Sequence, residues 1–234
     1  MVCGALGVPA PASAQTAPGL RDLAAQAAHD VRRLVSTDSA VVLSIGGLTA
    51  AIGHGADRTL SDGMATSPSM KGLFAAGETL GGARMQTAGA LASYAIGRVT
   101  GNETVARIGA DLIRAQIVTQ MMTGAVKTAT GRTRPDGTQY SFPSGHAAAT
   151  FATATVLQRN LGWKVGVPAY AVAGYVAASR IQVRRHFLSD VAFGAALGIV
   201  AGRTVTIGRG DRRFALAPTA VPGGAGVSMT WTGR

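Results

Sequence analysis

Among the stretches of this chain that carry no Asp, Glu, Lys or Arg are Ser39–Ala56, Val165–Ser179 and Val191–Gly202. They consist largely of Ala, Gly, Val, Ile and Leu, with polar corners between them. Such a run forms a helix buried in protein or a helix in lipid, and a bilayer-spanning helix needs roughly 20 predominantly apolar residues. These runs fall short of that, and Gly46, Gly47 and Gly53 interrupt the first. They read as core helices of a soluble or peripherally bound protein, with a membrane-embedded bundle as the alternative. The chain is 47% hydrophobic but only 5% aromatic, with 32 Gly. Small side chains let helices approach closely, so the expected class is all-α, a bundle of about six or seven helices.

Periodicity and punctuation place the elements. Apolar residues from Leu20 to Val35 recur near a 3.6 period, and Ser36, Thr37 and Asp38 are cap candidates for a helix over Ser39–Gly53. His54–Met70 is rich in Gly, Ser and Asp and reads as a loop, followed by a short helix over Met70–Leu80. Helices are predicted over Met85–Val99 and from Asn102–Glu103 to about Thr128. A loop, GRTRPDGTQYSFPSG, precedes helices over His146–Asn160, Val165–Ser179 and His186–Thr204. In the tail, Phe214–Ala217 and Val227–Trp231 flank Pro-Gly-Gly and read as a short hairpin. The chain divides into a leader at 1–14, an N-terminal helical region at 15–84, a helical core at 85–205 and a tail at 206–234.

The first twenty residues hold no charged side chain and pass through Ala12–Ala14, a pattern resembling the back half of a secretory signal peptide. It predicts export to a periplasm or the exterior. With Cys3 the only cysteine, no disulfide can form within the chain. The formal charge of +11 favours anionic partners, but no run reaches the roughly five or six like charges of a nucleic-acid tail, so nucleic acid is not an expected partner.

Chemistry-bearing residues gather at three corners. The first holds Lys127, Arg132 and Arg134. The second is Pro143-Ser144-Gly145-His146, and the third runs from Ser179 and Arg180 to His186 and Asp190. Arg presents a planar fork of donors to phosphate oxygens and Lys adds a point charge. A helix N-terminus at Ser144–His146 favours a bound anion, and Gly145 leaves room for one. His186 and Asp190 are spaced i, i+4, so on a helix the carboxylate would accept one ring N–H and leave the other nitrogen as a nucleophile. His146 suits a general acid.

These corners resemble the signature of the type 2 phosphatidic acid phosphatase superfamily, which also contains the class A nonspecific acid phosphatases and the vanadium haloperoxidases. The signature reads K-x6-RP, PSGH and SR-x5-H-x3-D, and every position is filled here at that spacing. The resemblance covers Lys127–Asp190. It implies that His186 attacks phosphorus to form a phosphohistidine, that Asp190 orients it, and that His146 protonates the leaving alkoxide and later activates water. Lys127, Arg134 and Arg180 would hold the phosphoryl oxygens, with help from Ser144 and the Gly145 amide. No metal or other cofactor is implied. The expected activity is hydrolysis of phosphate monoesters: lipid phosphates such as phosphatidate or isoprenoid phosphates, or small organic phosphates. Only seven residues, Asp136–Phe142, separate RP from PSGH, which is more like the lipid-phosphatase branch. The rivals are a haloperoxidase, with His186 ligating vanadium, and a non-catalytic phosphate- or lipid-binding module.

Other polar residues read more plainly. Arg132 is expected to be a solvated loop charge, and His29 and His54 ordinary surface histidines. Arg184 and Arg185 either face water or meet anionic headgroups, and Trp163 and Trp231 are candidates for a membrane interface. Met121 and Met122 are expected in the core. Asp111 and Arg114 are spaced i, i+3 and are expected to pair on the long helix with little energy at stake, about 0.3 kcal/mol.

Overall fold

The computed structural model describes residues 17–207, 213–221 and 224–232; the expected leader at 1–14 lies outside them. Ten helices precede a two-stranded hairpin. They are α1 (Leu20–Arg33), α2 (Thr37–His54), α3 (Asp57–Ala65), α4 (Pro68–Leu73), α5 (Gly77–Gly81), α6 (Ala83–Val99), α7 (Glu103–Thr130), α8 (Gly145–Leu161), α9 (Trp163–Gln182) and α10 (Leu188–Val205). Strands β1 (Arg213–Val221) and β2 (Gly224–Thr232) pair antiparallel, with Ala217 opposite Ser228.

Local chemistry sets the boundaries of the long helices. Asn102 Oδ1 accepts from Val105 N at 3.1 Å to open α7, and Gly131 closes it in the left-handed conformation at φ 54°. Ser144 caps α8 through Ala147 N at 3.4 Å, and Ser36 caps α2 through Ser39 N at 3.2 Å.

The bundle centres on α8, which packs against α7, α9 and α10, while α6 lies on α7 and α2 on α10. Its core face is Ala147, Ala148, Ala149, Ala152 and Val156, all inaccessible to solvent. Small residues bring α10 almost to backbone contact with this face. A Cβ built on Gly198 would lie 2.2 Å from Ala148 O, and one on Gly202 would lie 2.6 Å from Thr155 Cβ. The α6–α7 crossing works the same way, with Gly97 against Ala106 and Gly109 against Tyr94. Such spacing exploits the small residues of the sequence as close helix contacts do in membranes.

Several expectations are revised. The stretch read as a loop over His54–Met70 holds α3 and the start of α4, and the short helix expected over Met70–Leu80 is split between α4 and α5. The last helix begins at Leu188, so His186 precedes it. Met121 is 54% exposed rather than in the core. Arg114 does more than pair with Asp111 on its own helix. It is buried, and it donates to Asp30, Asp111 and Val205 O, each at 2.7 Å, tying α1, α7 and α10 together.

Candidate active site

The three polar corners meet at one end of the bundle, joined by backbone hydrogen bonds. Ser144 N donates to Asp190 O at 2.9 Å, Ser141 N donates to Arg132 O at 2.7 Å, and His186 N donates to Arg180 O at 3.1 Å. The start of α8, the end of α9 and the start of α10 are therefore held in register before any side chain is considered.

Asp190 is fully buried and bonded through both carboxylate oxygens. Its Oδ1 accepts from Arg132 Nη1 at 2.7 Å. Its Oδ2 accepts from Phe187 N at 2.8 Å and from Ser141 Oγ in a short hydrogen bond. His186 Nδ1 lies 3.6 Å from the same oxygen, an ion-pair approach that is longer than a hydrogen bond. Because His186 sits ahead of α10, the two do not share a helix face as their spacing suggested; Asp190 reaches back around the helix start. Burial, with Lys127 and Arg134 adding to it and Asp190 opposing, pushes the His186 ring below the ordinary histidine value of 6.5.

The cations surround this pair. Arg180 is 2% exposed and donates to Glu78 on α5. Lys127 Nζ donates to Tyr140 O at 2.6 Å. Lys127 and Arg134 both act electrostatically on His186, and Arg180 and His186 both act on His146. Ser144 Oγ is engaged as the α8 cap rather than directed at a ligand. A Cβ on Gly145 would meet nothing within 4 Å, so the space in front of this helix start is open.

Several buried nitrogens here have no hydrogen-bond partner: Arg134 Nε, Arg180 Nε, His146 Nε2 and His186 Nδ1. Buried donors are ordinarily paired. His186 Nδ1 faces Asp190, while the nitrogens of Arg134, His146 and Arg180, from three separate corners, suit a multivalent anion. Such an arrangement can neutralise a phosphoryl group, attack it with one ring and donate a proton with the other.

Arg132 departs from its expected role. Besides Asp190 it donates from Nη2 to Asp57 Oδ2 at 2.7 Å and from Nη1 to Ser189 Oγ at 2.7 Å, and it lies over the Phe187 ring at 4.5 Å. Asp57, 2% exposed, accepts also from Ser189 N at 2.9 Å and Ser189 Oγ at 2.6 Å. His54 Nδ1 stands 3.1 Å from the same carboxylate. No spacing rule could have found Asp57 or Glu78, because each reaches the site across the fold. Ser141, two residues before Pro143, lay inside the quoted loop without a signature position to mark it.

The sequence profile of the PAP2 superfamily matches residues 109–214. A Lipid A 1-phosphatase of Porphyromonas gingivalis is 48% identical over 87 residues, which are 35% of this chain and 19% of that protein. A Decaprenylphosphoryl-5-phosphoribose phosphatase of Mycobacterium tuberculosis is 41% identical over 76 residues, 32% of this chain and 41% of that protein. The matches thus span less than half the length of these curated relatives. Among solved structures, a transmembrane PAP2 type phosphatidylglycerolphosphate phosphatase from Bacillus subtilis superposes with a TM-score of 0.55 at 20% identity, covering 79% of this chain and 92% of its own. LpxE of Aquifex aeolicus superposes with a TM-score of 0.54 at 23% identity, covering 64% and 93%. These two similarities establish the helical fold.

Proposed function

We propose, from the premise that residues 109–214 belong to the PAP2 superfamily, that this protein is a phosphatase that hydrolyses phosphate monoesters of lipids. The observation that carries the reading is the set of buried, unpartnered nitrogens on Arg134, Arg180 and His146 at one site. In this reading Lys127, Arg134 and Arg180 bind the phosphoryl oxygens, with the Gly145 amide at the α8 N-terminus adding a donor. His186, its Nδ1 turned toward Asp190, attacks phosphorus with Nε2. The ester P–O bond breaks as the P–N bond forms, and the departing oxygen takes a proton from His146. Water then attacks the phosphohistidine, giving its proton back to His146 and returning the bonding pair to His186. The curated relatives are named for phosphatases of lipid-linked phosphates, which supports a lipid substrate over a small organic phosphate.

The helix surfaces support membrane insertion over the soluble form expected from run length. Among the described residues α10 is long and apolar enough to cross a membrane, though 67% of it is buried, and α1 with α2 qualify only as a pair bent by 71°. The stronger support is apolar exposure. Val41, Ile45, Leu48 and Ile52 line one open face of α2, Leu91, Ile96 and Val99 are exposed on α6, and Val167 and Val172 on α9. Contiguous apolar surface of this kind is covered by protein or lipid. Export of the chain remains part of the proposal, resting on the Ala12–Ala14 pattern.

The test is phosphate release in mild detergent, with phosphatidate and p-nitrophenyl phosphate side by side in EDTA, with and without vanadate. Turnover that resists EDTA and is blocked by vanadate is the expected result, with phosphatidate preferred. Folded protein that releases no phosphate from either ester overturns the assignment.

A further inference from the structure

His146 has a carboxylate of its own. Glu78 lies on α5, outside every signature corner and 102 residues before Arg180, yet its Oε2 is bonded to Arg180 Nη1. Its Oε1 stands 3.5 Å from His146 Nε2, the buried ring nitrogen that has no hydrogen-bond partner. Burial and then Arg180 on α9 and His186 ahead of α10 disfavour the charged His146 ring, and Glu78 on α5 is the anion that opposes them.

Two features argue that Glu78 stays in place when an anion binds. The first is the seat of α5. A Cβ on Gly77 would lie 2.1 Å from Ser179 Oγ, and one on Gly81 would lie 2.3 Å from Val176 Cγ1 and 3.1 Å from His146 Cδ2. These contacts press the short helix onto α9 and α8. The second is the state of Arg180, which gives Nη1 to Glu78 while its Nε is left unpaired for another acceptor. A displaced plug would need a looser seat and an Arg180 otherwise spent.

We propose that Glu78 is a positioning residue for the leaving-group step: it holds Arg180 by one edge and sets a negative charge beside His146 Nε2, the nitrogen whose proton passes to the departing oxygen. This rests on the phosphatase reading above. As the ester P–O bond breaks, its electron pair moves to the leaving oxygen, which takes the His146 Nε2 proton. The Glu78 carboxylate is then left facing a neutral ring, ready to favour reprotonation when water is deprotonated in the second half-reaction.

The test uses the dependence on the leaving group. A phenolate leaves without a proton, whereas the alkoxide of a lipid ester needs one. Glu78→Gln should lower kcat on phosphatidate about a hundredfold while leaving p-nitrophenyl phosphate within about threefold, and Glu78→Asp should recover most of the lipid activity. Equal loss on both esters, no loss on either, or a fall in KM on both through release of a plug would each overturn the proposal. NMR titration of the His146 ring, made on the parent and on Glu78→Gln in the same micelles, decides separately from turnover. A lower midpoint in the variant is expected, and an unchanged one overturns the proposal. A parent silent on both esters with a shifted midpoint would sink the phosphatase reading and leave the Glu78–His146 coupling standing.

Discussion

At the residue scale the site contains two histidines with different surroundings, and pH should separate them from the rest of the protein. A nucleophilic His186 must be neutral. Its ring is held below 6.5, chiefly by burial and then by Lys127 and Arg134. The sign follows directly: protonation, and with it the loss of the nucleophile, sets in only below the ordinary histidine range. The acid limb of kcat/KM should therefore lie under pH 6.5, and Lys127→Met should move that limb upward while lowering the rate; a limb above 6.5 in the parent would count against His186 as the nucleophile. Asp57 offers a second test. Its carboxylate anchors Arg132 and Ser189, both of which flank Asp190. Asp57→Asn removes one charge of a buried pair and should cost about 3 kcal/mol of stability. It should also lower kcat, because Arg132 would hold Asp190 less firmly. Unchanged thermal unfolding and kcat would show that Arg132 needs no such anchor. The signature residues were legible in the sequence because their spacing is fixed by short corners. Arg132, Asp57, Ser141 and Glu78 were not, because what defines them is a partner across the fold; Ser189 and Asp57 are 132 residues apart.

At the element scale the long helices could be read from their caps and from the charges that bound their apolar runs. The short ones could not. α3 and α5 carry Gly, Ser and Asp of weak helix propensity, and tertiary contacts hold them, with Asp57 on Ser189 and Gly77 on Ser179. The start of α10 failed for a different reason. The stretch His186–Asp190 has the spacing of a helix face, but Asp190 accepts from Phe187 N and so closes the first turn behind His186. The Asp190 carboxylate thus doubles as the helix start, and the angle of α10 on α8 sets the position of both His186 and Asp190. Gly198 makes this testable, since a side chain there meets Ala148 O and Ala152 N of α8. Gly198→Val should push α10 outward, lower the unfolding midpoint and reduce kcat by more than KM changes, because Asp190 moves with the helix. Gly124→Ala on α7 is the matched control. Nothing lies within 4 Å of its Cβ, and a helix-interior Gly replaced by Ala gains roughly 0.5–1 kcal/mol. Equal behaviour of the two variants would mean that the α8–α10 contact is not tight in solution.

For the whole molecule the question is which solvent covers the helices. The charges bracket the apolar runs. On α2 the run lies between Asp38 and His54, on α6 between Arg84 and Arg98, on α9 between Lys164 and Arg180, and on α10 between Asp190 and Arg203. Long cationic side chains at such boundaries can reach an interface while their stems stay in the apolar layer, so runs shorter than a full span do not exclude a bilayer. Trp163, 62% exposed at the start of α9, sits at the same boundary. Sequence length alone favoured a soluble bundle; what it could not supply was the direction of each apolar side chain. Leu48 decides between the two solvents because it is 63% exposed, makes no part of the site and lies between Ile45 and Ile52 on the open face of α2. In a water-soluble protein Leu48→Arg is a surface change, worth within about 0.5 kcal/mol. In a bilayer an Arg near the middle of a helix costs about 2.5–3.5 kcal/mol by insertion scales. Expressed in cells, Leu48→Arg should therefore lower the yield of protein in the membrane fraction and destabilise what is recovered in detergent, while Ser69→Arg, exposed at the start of α4, should do neither. A Leu48→Arg protein that folds like its parent and stays in the aqueous fraction would return the bundle to water.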